Sequence, residues 1–90
     1  MSISVIVPTL LRPLTHGEKN VSVEGNSVAE AIDNLESRFP GIKARLISDD
    51  RVHRFVNIYV NEDDIRFADG LDTPIKAGDS LTVLPAVAGG

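Results

Sequence analysis

One stretch, Ser27 to Gly41, constrains the fold of this chain more than any other. Ser27 followed three residues later by Glu30 is a capping box, a hydroxyl and a carboxylate placed to satisfy backbone N–H groups that the start of a helix leaves unbonded. Val28, Ala31, Ile32, Leu35 and Phe39 then recur at helical spacing and make one apolar stripe, with Glu30, Asp33, Glu36 and Arg38 lying off it. Pro40-Gly41 stops the helix. A helix with one apolar stripe must bury it, and the other elements of a 90-residue chain have to supply the surface.

The flanking sequence supplies strands. Ile3, Val5 and Val7 alternate before Pro8, and Val21 and Val23 alternate within a returning strand from Lys19 to Val23. Between them Thr9 to Glu18, with Pro13 and Gly17, reads as a loop, which makes the pair a wide hairpin. Beyond the helix, Ile42 to Ile47 reads as a short helical turn and Ser48-Asp49-Asp50-Arg51 as a polar connection. The strongest strand is Phe55 to Val60, with Val56, Ile58 and Val60 on one face and Phe55, Asn57 and Tyr59 on the other. Asn61 to Asp64 turns the chain into a short strand, Ile65 to Phe67. Gly70 to Pro74 reads as irregular and Lys76 to Asp79 as a turn, and Ser80 to Leu84 is the last strand.

This order predicts an α+β fold: a mixed sheet of about five strands with one main helix across one face. With the first and last strands adjacent and parallel, Ile3, Val5, Val7, Leu81 and Val83 meet the helical stripe, which is the β-grasp (ubiquitin-like) arrangement. Residues 1–90 are expected to form a single domain, with 86–90 as a flexible, extended C-terminal tail ending in Gly-Gly.

Composition narrows the function. Hydrophobic residues make up 42% and charged residues 24%, a globular balance. With 9 basic and 13 acidic side chains the net charge is −4, and there are three Phe, one Tyr and no Trp. A nucleic-acid binder needs clustered cations and, for single strands, stacking platforms, so none is expected. The chain has no Cys, so no disulfide, thiol nucleophile or thiolate metal ligand is available. No basic-then-apolar leader opens the sequence and no run reaches membrane-span length, so the expectation is a cytoplasmic protein without a membrane partner.

The usual catalytic signatures are absent: no phosphate-binding G-x-x-x-x-G-K-[ST], no G-x-G-x-x-G and no H-E-x-x-H. His16 and His53 lie far apart without a second ligand at metal spacing, so no metal site is expected. The Glu62-Asp63-Asp64 run reads as a solvated turn. The expectation is therefore a chain that is not an enzyme. What stands out is the end, Gly89-Gly90, a pair that chance places at a terminus about once in two hundred sequences. Two residues without Cβ atoms make a thin thread, able to enter a narrow active site and present a carboxylate there.

The sequence resembles the ubiquitin-like sulfur carriers, a family that includes the small subunit of molybdopterin synthase and the thiamine-pathway carrier. The resemblance is strongest to the carriers of O-phosphoserine-dependent cysteine biosynthesis. It rests on Pro8-Thr9-Leu10-Leu11-Arg12-Pro13, on the run His53 to Asn61, and on Gly78-Asp79 through Leu84-Pro85 to Gly89-Gly90. The resemblance implies that Gly90, with Gly89 before it, is the adenylation and thiocarboxylate site. It implies three partners: an E1-like adenylating and sulfurtransferase enzyme, a pyridoxal-phosphate cysteine synthase, and a zinc metalloprotease that releases cysteine. ATP and pyridoxal phosphate are then used by the partners, and this chain binds no cofactor. Some relatives carry residues after Gly-Gly that a protease removes; ending at Gly90, this chain is expected to need no such step. A monomer suits a shuttle. The alternatives are a molybdopterin synthase small subunit, or a modifier joined through Gly90 to lysines.

Parallel first and last strands also put the loop after Pro8 at the same end of the sheet as the tail. Leu10, Leu11 and Arg12 are therefore expected to flank the tail root. Phe55, Tyr59 and Leu84 are expected on the open sheet face as anchors for a partner.

Overall fold

The alternating segments at the two ends of the chain lie side by side, and everything else is arranged around that pair. In the computed structural model, which describes residues 2–86, β1 (Ser2–Ile6) runs parallel to β7 (Ser80–Pro85), with Val5 opposite Leu81. β2 (Asn20–Glu24) pairs antiparallel with β1 on one side. On the other, β5 (Val56–Val60) pairs antiparallel with β7, and β6 (Asp63–Asp64) with β5. The sheet order is β2-β1-β7-β5-β6, the five-stranded mixed sheet that the alternation predicts. A second, two-stranded piece joins β3 (Ile47–Ser48) to β4 (Arg51–Val52).

The inner face of this sheet is the core. Ile3, Val5, Val21, Val23, Ile58, Leu81 and Val83 are buried against Val28, Ala31, Ile32 and Leu35 of α1 (Val28–Arg38), with Ile42 and Leu46 of α2 (Ile42–Leu46) closing one side. Each fully buried aliphatic side chain contributes about 1.5–3 kcal/mol through removal from water. That sum opposes the chain entropy in a fold with no covalent cross-link.

The start of α1 shows how the cap is built. Ser27 Oγ accepts from the Glu30 N–H at 3.2 Å, as the spacing predicts. The Glu30 carboxylate, however, accepts from the Asn26 N–H at 3.0 Å, one residue further back. The segment before β7 supplies the rest: the Val28 N–H donates to the Thr73 carbonyl and the Ile75 N–H to the Asn26 carbonyl, each at 3.0 Å. At Gly25 the chain passes so close to α1 that a Cβ there would sit 2.8 Å from the Ala31 nitrogen and 3.0 Å from its Cα. Backbone cannot swing aside, so Gly25→Ala is expected to lower stability by about 1–3 kcal/mol, read as an earlier urea midpoint at unchanged slope.

Both sheet edges are partly occupied. The outward carbonyls of β2 accept from α1: Glu24 from the Asn34 amide at 2.6 Å, and Ser22 from the Arg38 guanidinium. At the opposite edge β6 is two aspartates long.

Three expectations are corrected. Thr9–Thr15 is not open loop but a 3-10 helix containing Pro13, closed by His16 and Gly17 at positive φ and by a buried Thr15 whose hydroxyl donates to the Glu18 carbonyl at 2.7 Å. The polar connection at Ser48–Arg51 is a tight hairpin, with Asp49 and Asp50 both left-handed at φ 53° and 61°. Ile65–Phe67 is a 3-10 turn rather than a strand. Asp64 caps it by accepting from the Arg66 N–H at 2.9 Å, which buries Ile65 and leaves Phe67 outside.

Three carboxylates hold the loops, and each is pushed below the ordinary carboxylate range. Glu36 accepts from the N–H groups of Lys43 and Gly41 and so caps α2 from the end of α1. Asp64 is lowered by the Arg66 side chain, then by its N–H. Asp79 is lowered first by the Lys76 N–H and then by the Asn61 amide, which locks the turn before β7. Groups of depressed folded pKa contribute stability above the unfolded carboxylate value, near about 4, and lose it as pH falls through the folded value. The melting temperature is therefore expected to hold down to about pH 5 and to decline below about pH 4. Glu36→Gln combined with Asp79→Asn is expected to flatten that decline in thermal melts across pH.

Candidate functional site

The end of the sheet where β1 stops and β7 runs out gathers residues from four separate segments. Pro85 pairs with Val56, and the Ala86 N–H donates to the Phe55 carbonyl at 2.8 Å, so the last described residue is still hydrogen-bonded to the segment leading into β5. Gly89 and Gly90 lie outside the described residues. Around this root the 3-10 helix brings Leu10 and Leu11, α2 brings Ala44 and Arg45, and the approach to β5 brings His53 and Phe55. Together with Pro8, Val56 and Pro85 they line a hollow of about 380 Å³.

The expected docking residues divide. Leu10 stands 77% exposed at the tail root, whereas Leu11 beside it is buried and forms part of the floor. The 3-10 period explains the difference: adjacent leucines point to different sides of a tight helix. Arg12 is half-buried and its Nε donates to the Val7 carbonyl at 3.2 Å, which ties the 3-10 helix to the end of β1.

Phe55 and Tyr59 do not form one surface. Phe55 precedes β5 and sits in the hollow, its N–H donating to His53 Nδ1 at 3.1 Å. The rings of His53 and Phe55 have their centroids 5.2 Å apart, and the Arg54 guanidinium lies 4.9 Å over Phe55. Tyr59, near the other end of β5, lies beside Asp64 and Phe67. The open face carries Tyr59 level with Thr82 and Ile6, and Leu84 level with Asn57; Leu84 and Ile6 are exposed.

The two histidines take structural places. His16 meets Phe39 edge-on at 5.6 Å between ring centroids, and His53 accepts a backbone hydrogen bond. Among the described residues no group of three or more His, Cys, Asp and Glu side chains could hold a metal, and no helix is long and apolar enough to cross a membrane. The acidic run is more than a solvated turn, since Asp64 pairs with Arg66 at 3.1 Å. Arg45, His53 and Pro85 did not stand out in the sequence as members of this site. They come from three segments whose proximity only the fold creates.

The comparisons with known proteins agree with this fold. The profile of the ThiS family matches residues 5–90. The chain is 52% identical over 93 residues, covering 100% of both, to the "Sulfur carrier protein CysO" of Mycobacterium tuberculosis (strain ATCC 25618 / H37Rv). It superposes with a TM-score of 0.93 and 55% identity on a chain of the crystal structure of the Amycolatopsis orientalis BexX/CysO complex, covering 98% of this chain and 99% of that one. It is also 36% identical over 64 residues to the "Small archaeal modifier protein 3" of Haloferax volcanii, covering 71% of this chain and 70% of the relative.

Proposed function

The chain belongs to the ThiS family, and from that premise we propose that it is a sulfur carrier whose working group is the carboxylate of Gly90. The observation that carries this reading is the 52% identity, over the whole of both chains, to a protein named as a sulfur carrier. Residues 1–90 then act as one β-grasp domain, with 86–90 as its tail.

The chemistry follows from what a carboxylate lacks. Its carbon is a poor electrophile and its oxygen a poor leaving group. An E1-like enzyme directs the Gly90 carboxylate oxygen onto the α-phosphorus of ATP, expelling pyrophosphate and leaving an acyl adenylate. A sulfur donor then attacks the acyl carbon, AMP departs, and a thiocarboxylate remains. Glycine at both 89 and 90 keeps this approach free of Cβ atoms. In this reading the sulfur serves cysteine biosynthesis in the cytoplasm, through a pyridoxal-phosphate synthase and a zinc metalloprotease. The chain itself catalyses nothing and binds none of those cofactors. A relative crystallised in a complex, BexX/CysO, supports a life spent with partner proteins.

Intact-protein mass spectrometry after incubation with the adenylating enzyme, ATP and sulfide tests the reading. The expected result is a gain equal to one oxygen-for-sulfur exchange, localised to Gly90, and an unchanged mass overturns it. The similarity to a small archaeal modifier favours one second reading, attachment through Gly90 to lysines, for which isopeptide-linked species in cell extracts are the signature.

The docking roles belong to the same proposal: Leu10, Leu11 and Arg12 at the root, Phe55 in the hollow, Tyr59 and Leu84 on the open face. Phe55→Ala with Tyr59→Ala is expected to leave the melting temperature near that of the parent and to raise the KM of adenylation about tenfold at unchanged kcat. A parental KM in that variant removes both rings from docking.

A further inference from the structure

Resting on that reading, we propose that the hollow at the tail root, on the inner side of the sheet, receives an acidic segment with an apolar tip, presented by a protein that acts on Gly90. The lining gives the apolar half of the argument. Leu11, Ala44, Val56 and Pro85 form an apolar surface, and Leu10 and Phe55 are left 77% and 48% exposed at its rim. Anchors of this kind bind by losing water to a complementary apolar group.

Charge gives the other half. The hollow's ionisable side chains are Arg45 and His53, with no carboxylate among its lining residues. The adjoining hollow shares His53 and Phe55 and adds Arg51 and Arg54 against one carboxylate, Asp49. Among the described residues neither Arg45 nor Arg54 has an ion-pair partner; Arg54 lies over the Phe55 ring instead. This cationic rim belongs to a chain of net charge −4, and Glu62 and Asp63 lie at the opposite end of β5. The local sign is thus the reverse of the global one, and a carboxylate-bearing partner is steered to the tail root while the rest of the surface repels it. A nucleic-acid backbone would meet the same cations but an apolar floor with a single phenylalanine ring, so the lining favours a peptide.

Amide-resolved NMR of the full chain tests this with two short amidated peptides, two leucines flanked by glutamates and the same peptide flanked by lysines. The acidic peptide is expected to move the resonances of Leu10, Arg45 and Phe55, with shifts that shrink as salt is raised. Arg45→Gln with Arg54→Gln is expected to weaken this binding about tenfold at an unchanged melting temperature. Lys76→Glu, which gives the same net charge from the far end of the sheet, is expected to leave it intact. Equal binding of the lysine peptide, shifts confined to Tyr59 and Leu84, or parental binding by the double variant would overturn the proposal. Binding that emerges only after residues 87–90 are removed would also overturn it, by assigning the hollow to the chain's own end. Peptide binding does not require sulfur on Gly90, and the mass gain at Gly90 does not require the peptide, so the two readings fail separately.

Discussion

A chain shortened by Gly89 and Gly90 is expected to melt as the full chain does and to accept no sulfur at all. Both halves of that expectation follow from where the interactions lie. The buried core, the α1 cap and the loop-holding carboxylates all fall within residues 2–86, so folding loses nothing described. In the proposed reaction the carboxylate must reach the α-phosphate through a narrow channel, and the shortened chain ends in Ala88, with a methyl group beside the acyl carbon and two fewer residues of reach. A residual thiocarboxylate on the shortened chain in intact-mass spectra would move the reactive group elsewhere. A lowered melting temperature would mean that the last two residues pack on the body.

The second large effect is expected from Leu81→Ala. Leu81 is fully buried on the central strand β7, flanked by Val5 on β1 and Val60 on β5. Replacing a buried leucine with alanine costs about 2–5 kcal/mol, through lost burial and the cavity left behind. A domain of this size has a total stability of roughly 5–13 kcal/mol, so the variant is left close to unfolding. The melting temperature is expected to fall by on the order of 10–30 °C. A drop of only a few degrees in thermal circular dichroism would show that the sheet closes over the gap. Because β7 leads directly to the tail, the same variant is expected to lose sulfur transfer at temperatures where it frays.

The fold was legible wherever one side of an element faces the core and the other faces water. Val28, Ala31, Ile32 and Leu35 announce α1, and Val56, Ile58 and Val60 announce β5, because burial imposes its period directly on the residues. The parallel pairing of β1 and β7 was legible only as the arrangement that sets Ile3, Val5, Leu81 and Val83 under one helical stripe. The misses occur where local hydrogen bonds decide instead. At Ile65–Phe67 an aspartate cap overrode strand-like residues, and at Asp49–Asp50 two non-glycine residues took left-handed conformations to turn a hairpin that no Asn-Gly or Gly-Gly signal marked. The tail-root hollow was half legible. Leu10 and Phe55 stood out in the sequence and His53 lies two residues before Phe55, but Arg45 and Pro85 join them only through long-range packing, for which one sequence holds no local signal.

The arrangement of the sheet margins has a consequence for how such a protein can live at high concentration. Strand addition needs a row of free main-chain donors and acceptors, and here two carbonyls of one margin are bonded to its own helix while the other margin ends in a pair of charged residues. Copies crowded together therefore find only short lengths of edge to zip onto, which leaves recruitment to side-chain surfaces. Contacts of that kind can release quickly, as the proposed hand-over of sulfur between partner proteins requires.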